Sequence, residues 1–133
     1  MKLNLDAISK LEEELSKPKQ SLGTILVVDD EPENLFALEK TLNDEFTVFA
    51  TTNPEEAIKI TARERIDVIL TDQRMPNMQG TEFLKQVKEK NDDNVRMILT
   101  GYTDAKDLVD CINSGLIYRY LVKPWDASEI KSV

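Results

Sequence analysis

From residue 24 onward the chain alternates short, β-branched apolar runs with amphipathic stretches, and few folds accommodate that alternation. Thr24-Ile25-Leu26-Val27-Val28 is apolar at successive positions, so both faces of the strand it predicts must be covered, as in a parallel sheet. Pro32 stands where a first helical position would be, and Leu35, Leu38 and Leu42 recur at spacings of three and four. Phe46–Ala50 predicts a second strand, and Asn53-Pro54-Glu55-Glu56 predicts an N-cap with proline and acids in the first turn of a helix. Ile66–Leu70 predicts the third strand, followed by a helix over Thr81–Lys90 with Phe83, Leu84 and Val87 inward. Val95–Leu99 predicts the fourth, followed by a helix over Thr103–Asn113 with Ala105, Leu108 and Ile112 inward. Ile117–Val122 predicts the fifth strand, and Asp126-Ala127-Ser128-Glu129 resembles a capping box opening a last helix. Five such units in succession predict an α/β fold, a doubly wound parallel sheet with helices on both faces.

Two segments fall outside this alternation. Residues 1–16 read as an extra helix with Ile8, Leu11 and Leu15 along one stripe, and Ser16-Lys17-Pro18-Lys19-Gln20-Ser21 reads as a linker. The expected organisation is therefore an N-terminal helix and linker over 1–21 and one folded domain over 22–133. Val133 falls only about two turns into the last predicted helix, so that helix is expected to be truncated. A total of 133 residues suits a single domain, and 41% hydrophobic residues suffice for a packed core.

Charge and missing residue types remove whole classes of function. A formal net charge of -8 argues against nonspecific binding to nucleic acid or to anionic membranes by this domain. Cys111 is the single cysteine and histidine is absent, which excludes an internal disulfide, a Ser-His-Asp triad, a Cys-His dyad and His-ligated zinc. The longest aliphatic run, Ile25 to Val28, cannot span a bilayer, and residues 1–6 lack the apolar core of a signal peptide. The expected location is the cytoplasm.

In an open parallel sheet, ligands bind beyond the carboxyl ends of the strands. After the first predicted strand come Asp29 and Asp30, after the third Asp72, after the fourth Thr100, and after the fifth Lys123. Singly, each is an ordinary turn or cap residue; together they bring three carboxylates, a hydroxyl and an ammonium to one edge. Clustered carboxylates raise one another's proton affinity unless a cation neutralises them, and an all-oxygen ligand set suits Mg²⁺. A carboxylate beside Mg²⁺ and a lysine can attack phosphorus, because charge on the phosphoryl oxygens is neutralised from two sides. A nearby hydroxyl such as Thr100 can then sense the added charge.

Leu26-Val27-Val28-Asp29-Asp30-Glu31-Pro32, Leu70-Thr71-Asp72-Gln73-Arg74-Met75-Pro76-Asn77-Met78-Gln79-Gly80, Ile98-Leu99-Thr100-Gly101-Tyr102 and Tyr120-Leu121-Val122-Lys123-Pro124-Trp125 together resemble the receiver domains of bacterial two-component response regulators. The resemblance covers about residues 23–133 and implies a flavodoxin-like sheet of order 2-1-3-4-5. It implies that Asp72 is the phosphoacceptor, that Asp30 ligates Mg²⁺ directly and Asp29 through water, and that the backbone carbonyl of Arg74 completes the metal site. Lys123 then contacts the phosphoryl group, and the Lys123-Pro124 bond is often cis in the family. Thr100 and Tyr120 correspond to the switch pair. A sensor histidine kinase or phosphotransfer protein is the implied donor and an output domain the implied C-terminal partner. A weak homodimer is a further expectation. Such a domain is not an enzyme but assists its own phosphorylation and dephosphorylation.

Other readings of the same residues remain open at this level. An aspartate-nucleophile phosphatase of the haloacid dehalogenase type wants an acid two positions after the nucleophile, where this chain has Arg74. A pseudo-receiver is expected to have lost Asp30, Asp72 or Lys123, and all are present. Tyr120 reads either as switch or as strand packing, Met75 and Met78 as packing or partner contacts, and Trp125 as core cap or partner anchor. Gly80 reads as a turn before a helix, and Cys111 as a small core residue.

Overall fold

In the computed structural model, residues 23–101 and 105–123 are described, with the side chains of 105–107 outside the description. The expected N-terminal helix, Tyr102, the Lys123-Pro124 bond, Trp125 and the last helix all lie outside the described residues. The strands are β1 (Thr24–Val28), β2 (Thr47–Thr51), β3 (Val68–Asp72), β4 (Val95–Thr100) and β5 (Arg119–Val122). The helices between them are α1 (Pro32–Leu42), α2 (Pro54–Arg63), α3 (Gly80–Lys90) and α4 (Ala105–Asn113). All strand pairs are parallel and the order is β2-β1-β3-β4-β5, the flavodoxin-like arrangement.

The two-sided apolar character of β1 has a direct cause. Ile25 and Val27 pack with Leu35, Leu38 and Leu42 of α1 on one face. Leu26 and Val28 join Ala57 and Ile60 of α2, Phe83 and Val87 of α3 and Leu108 of α4 on the other. Asn53 caps α2 as its sequence suggests, accepting a 2.9 Å hydrogen bond from the Glu55 N–H.

Four strands differ at one end or both from the sequence expectation, β3 and β4 ending at Asp72 and Thr100 rather than at Leu70 and Leu99. β2 runs one residue later, and β3 begins at Val68 and β5 at Arg119 rather than at Ile66 and Ile117. Ile66, Leu116 and Ile117 are buried all the same, because the loops entering these strands pin themselves to the core before ladder pairing starts. Burial without pairing mimics a strand in sequence. The shift matters for chemistry: Asp72 and Thr100 are the last residues of β3 and β4, held by the ladder itself, and α3 begins at Gly80, one residue early.

Arg96 anchors the opposite, amino end of the sheet. Its buried guanidinium donates to the carbonyl of Leu116 at 2.7 Å, of Gly115 at 3.3 Å and of Asn94 at 3.3 Å, and to Asp92 Oδ1 at 3.0 Å. Its removal would take the donor from the carbonyl of buried Leu116 and leave those of Asn94 and Gly115 to solvent. Arg96→Leu is therefore expected to cost about 2–4 kcal/mol, measured by urea unfolding. A loss below about 0.5 kcal/mol would show that water replaces the guanidinium at no cost.

Candidate phosphoacceptor and metal site

Register aligns the strand ends. Val28 pairs with Thr71, Asp72 with Leu99, and Thr100 with Val122, so the residues that follow emerge at one level. Backbone bonds continue past the strands: Asp29 N–H to the Thr51 carbonyl at 3.3 Å, Gln73 N–H to Leu99 at 3.2 Å, and Lys123 N–H to Thr100 at 2.8 Å. The sheet thus fixes the main chain at Asp29, Thr100 and Lys123, and at Gln73 directly after Asp72.

Carboxylate oxygens of Asp29, Asp30 and Asp72 lie within 4.8 Å of one another. At that separation each pair of charges repels by about 3 kcal/mol at an effective dielectric near 20. Lys123 Nζ sits 2.8 Å from Asp72 Oδ1 and 4.0 Å from Asp29 Oδ2. The first is a hydrogen-bonded ion pair; the second is too long for a hydrogen bond. Asp29 is 1% exposed, its Oδ1 accepts from the Glu31 N–H at 2.9 Å, and its buried Oδ2 has no hydrogen-bond partner.

Burial pushes the Asp29 carboxyl above its ordinary value of 3.8, and the charges of Asp72 and Asp30 push the same way. The Glu31 N–H and Lys123 pull it down without cancelling the rise. Burial works against the Lys123 ammonium, but the hydrogen bond and charge of Asp72, with Asp29 and Glu31, hold its pKa above the usual lysine value. A buried carboxylate oxygen without a hydrogen-bond partner, on a residue clustered with two further carboxylates, is what a small hard cation would satisfy, so the residues present fit Mg²⁺.

Thr100 is fully buried and its hydroxyl donates to the Gly101 carbonyl at 3.1 Å. Tyr120 is half-buried against the cluster that holds Leu108, Cys111 and Ile112, whereas neighbouring Tyr118 is 66% exposed. Met75 is buried and Met78 packs on the same cluster, so both serve as packing residues; Cys111 is half-buried there too. Arg74 is exposed and lines a cleft with Asp30 and Gln73.

Gly80 has a different reason from the one its sequence suggests. Its φ is not positive; instead, a Cβ there would sit inside van der Waals contact of the Asp72 carbonyl oxygen and 3.1 Å from Gln73 Oε1. Close approach, not turn geometry, requires glycine. Gln73 itself escaped sequence reasoning: its Oε1 accepts from the Thr81 N–H at 3.0 Å. A glutamine eight residues before its partner carries no local motif.

The profile of the response regulator receiver domain matches residues 25–133. The chain belongs to that family. Among curated relatives, the receiver is 45% identical over 103 residues to the hydrogenase transcriptional regulatory protein HoxA of Cupriavidus necator, covering 77% of this chain and 21% of that protein. It is 33% identical over 109 residues to sporulation initiation phosphotransferase F of Bacillus subtilis, covering 80% of this chain and 86% of that one. A receiver domain from Clostridium thermocellum superposes with a TM-score of 0.78 at 30% identity, covering 84% of this chain and 90% of the other. The chain spans about a fifth of the length of the hydrogenase regulators it matches. As a receiver it is a phosphorylation-dependent signalling module of the two-component type. Among the described residues, no helix is long and apolar enough to cross a membrane.

The raised Asp29 pKa fixes the sign of one prediction. The folded state holds this proton more tightly than the unfolded chain, so ionising Asp29 opposes folding above its ordinary value of 3.8. Asp29→Asn should melt higher than wild type in EDTA at pH 7, by about 2–8 °C for each kcal/mol of ionisation penalty relieved. The gain should narrow as pH falls and the wild-type carboxyl takes up its proton. Scanning calorimetry over a pH series checks this, and a lower midpoint in the variant at pH 7 contradicts it.

Proposed function

We propose that this receiver accepts a phosphoryl group on Asp72 with Mg²⁺ held by Asp29, Asp30, Asp72 and the backbone carbonyl of Arg74. The observation that carries the reading is the contact of Lys123 Nζ with Asp72 Oδ1 at 2.8 Å, inside the cluster of three carboxylates. Bound there, the cation would supply positive charge that, with Lys123, neutralises the negative charge of the phosphoryl oxygens. Asp72 forms the new P–O bond as the donor's P–N bond breaks, the leaving imidazole nitrogen retaining the electron pair. Lys123 passes from the carboxylate oxygen to a phosphoryl oxygen, exchanging one anionic partner for another. The Thr100 hydroxyl exchanges the Gly101 carbonyl for a phosphoryl oxygen, and Tyr120 follows into the volume this vacates.

The donor is a sensor histidine kinase or a phosphotransfer protein, or a small phosphodonor in vitro. An output domain carried elsewhere in the full protein, in the cytoplasm, is the receiver of the change; the transcriptional regulators among its relatives support that reading.

Acetyl phosphate with Mg²⁺ should add one phosphoryl mass to wild type, read by intact-protein mass spectrometry. Asp72→Asn should gain none, and EDTA should abolish the wild-type adduct. A full adduct on Asp72→Asn refutes the assignment of the acceptor.

A further inference from the structure

The residue after the phosphoacceptor does something its neighbours cannot. Gln73 is tied to β4 by its N–H to the Leu99 carbonyl at 3.2 Å, and its own carbonyl accepts from the Gly80 N–H at 2.9 Å. Its side chain crosses the neck of loop 74–79, Oε1 accepting from Thr81 N–H at 3.0 Å and Nε2 reaching Thr81 Oγ1 at 3.5 Å. The backbone donor at Thr81 fixes which end of the amide faces the helix. α3 has no cap of its own, since Gln79 at the N-cap position makes no side-chain hydrogen bond. The cap comes instead from across the loop, from the residue covalently joined to Asp72. Absence of a side chain at Gly80 leaves room for this amide, as a Cβ there would lie 3.1 Å from Gln73 Oε1.

We propose that Gln73 is a positioning residue for the cation site: its amide closes the neck of loop 74–79 and so holds the Arg74 main chain beside Asp30. The proposal rests on the metal-site reading given above. Arg74, Gln73 and Asp30 line one cleft, and Arg74 is bonded directly to the clamped residue. A ligand carbonyl on an unclamped loop would have to be ordered when the cation binds, and that entropy lowers affinity. Supporting groups behind metal ligands commonly matter by tenfold or more in affinity.

A simple cap would also stabilise α3, so the test must separate capping from positioning. Gln73→Met keeps the shape and removes both side-chain hydrogen bonds. Adding Gln79→Ser restores a local cap, because Gln79 has extended N-cap geometry at φ -70 and ψ 153 and Glu82 stands three residues on, which completes a capping box. Mg²⁺ titrations followed by amide NMR shifts give affinity, and melting in EDTA gives stability. Gln73→Met is expected to bind Mg²⁺ about tenfold more weakly and to melt several degrees lower. The double variant is expected to recover the melting temperature while its Mg²⁺ affinity stays low. Recovery of affinity in the double variant, or wild-type affinity in Gln73→Met, overturns the positioning role. Wild-type protein that binds no Mg²⁺, or binds it equally well as Asp30→Asn, overturns the metal-site reading itself, and the proposal with it.

Discussion

Mutual repulsion among Asp29, Asp30 and Asp72 is the constraint around which the rest of the domain is arranged. Three carboxylates within 4.8 Å share a single ammonium, that of Lys123, within ion-pair distance among the described residues. Such a cluster persists only because the strands carrying it are held elsewhere, by two apolar clusters on opposite faces of a parallel sheet. Stability is supplied by the sheet's faces and spent at its carboxyl edge. The ladder bonds beyond the strand ends, from Asp29, Gln73 and Lys123, prevent the charged residues from relaxing apart.

This division explains what could be read in the sequence. The carboxyl-edge residues were legible because each follows an apolar run, and a parallel sheet collects such positions at one edge. Asp29, Asp72 and Thr100 are indeed buried at the strand ends, and Lys123 sits against Asp72. The start of β3 was not legible, because Ile66 is as buried as a strand residue without being paired as one. Ile117 produced the same error before β5. Hydrophobicity reports removal from water, whereas strand assignment depends on partners supplied by distant segments.

Interactions between loops were illegible for a related reason. Gly80 looks like any glycine before a helix, yet its constraint is the carbonyl of Asp72, brought against it by the return of loop 74–79. Gln73 has a polar side chain beside a strand end, which sequence alone leaves facing solvent. Only the closed loop brings Thr81 N–H within its reach. Arg96 shows the converse, a charge within an apolar strand whose donors are met by carbonyls arriving from the loop before β5. The charge itself was visible in the run Val95–Leu99; its partners were not.

That guanidinium has a mechanical consequence. Arg96 lies near the amino end of β4 and grips the main chain at Gly115 and Leu116, just past the carboxyl end of α4, while Thr100 closes the same strand at the site. One end of α4 is thereby riveted to the strand that carries the hydroxyl, and the other end is not held by that rivet. A helix fastened in this way cannot slide along the sheet as a whole. Any rearrangement that keeps these bonds leaves the Gly115–Leu116 end of α4 in place as a pivot.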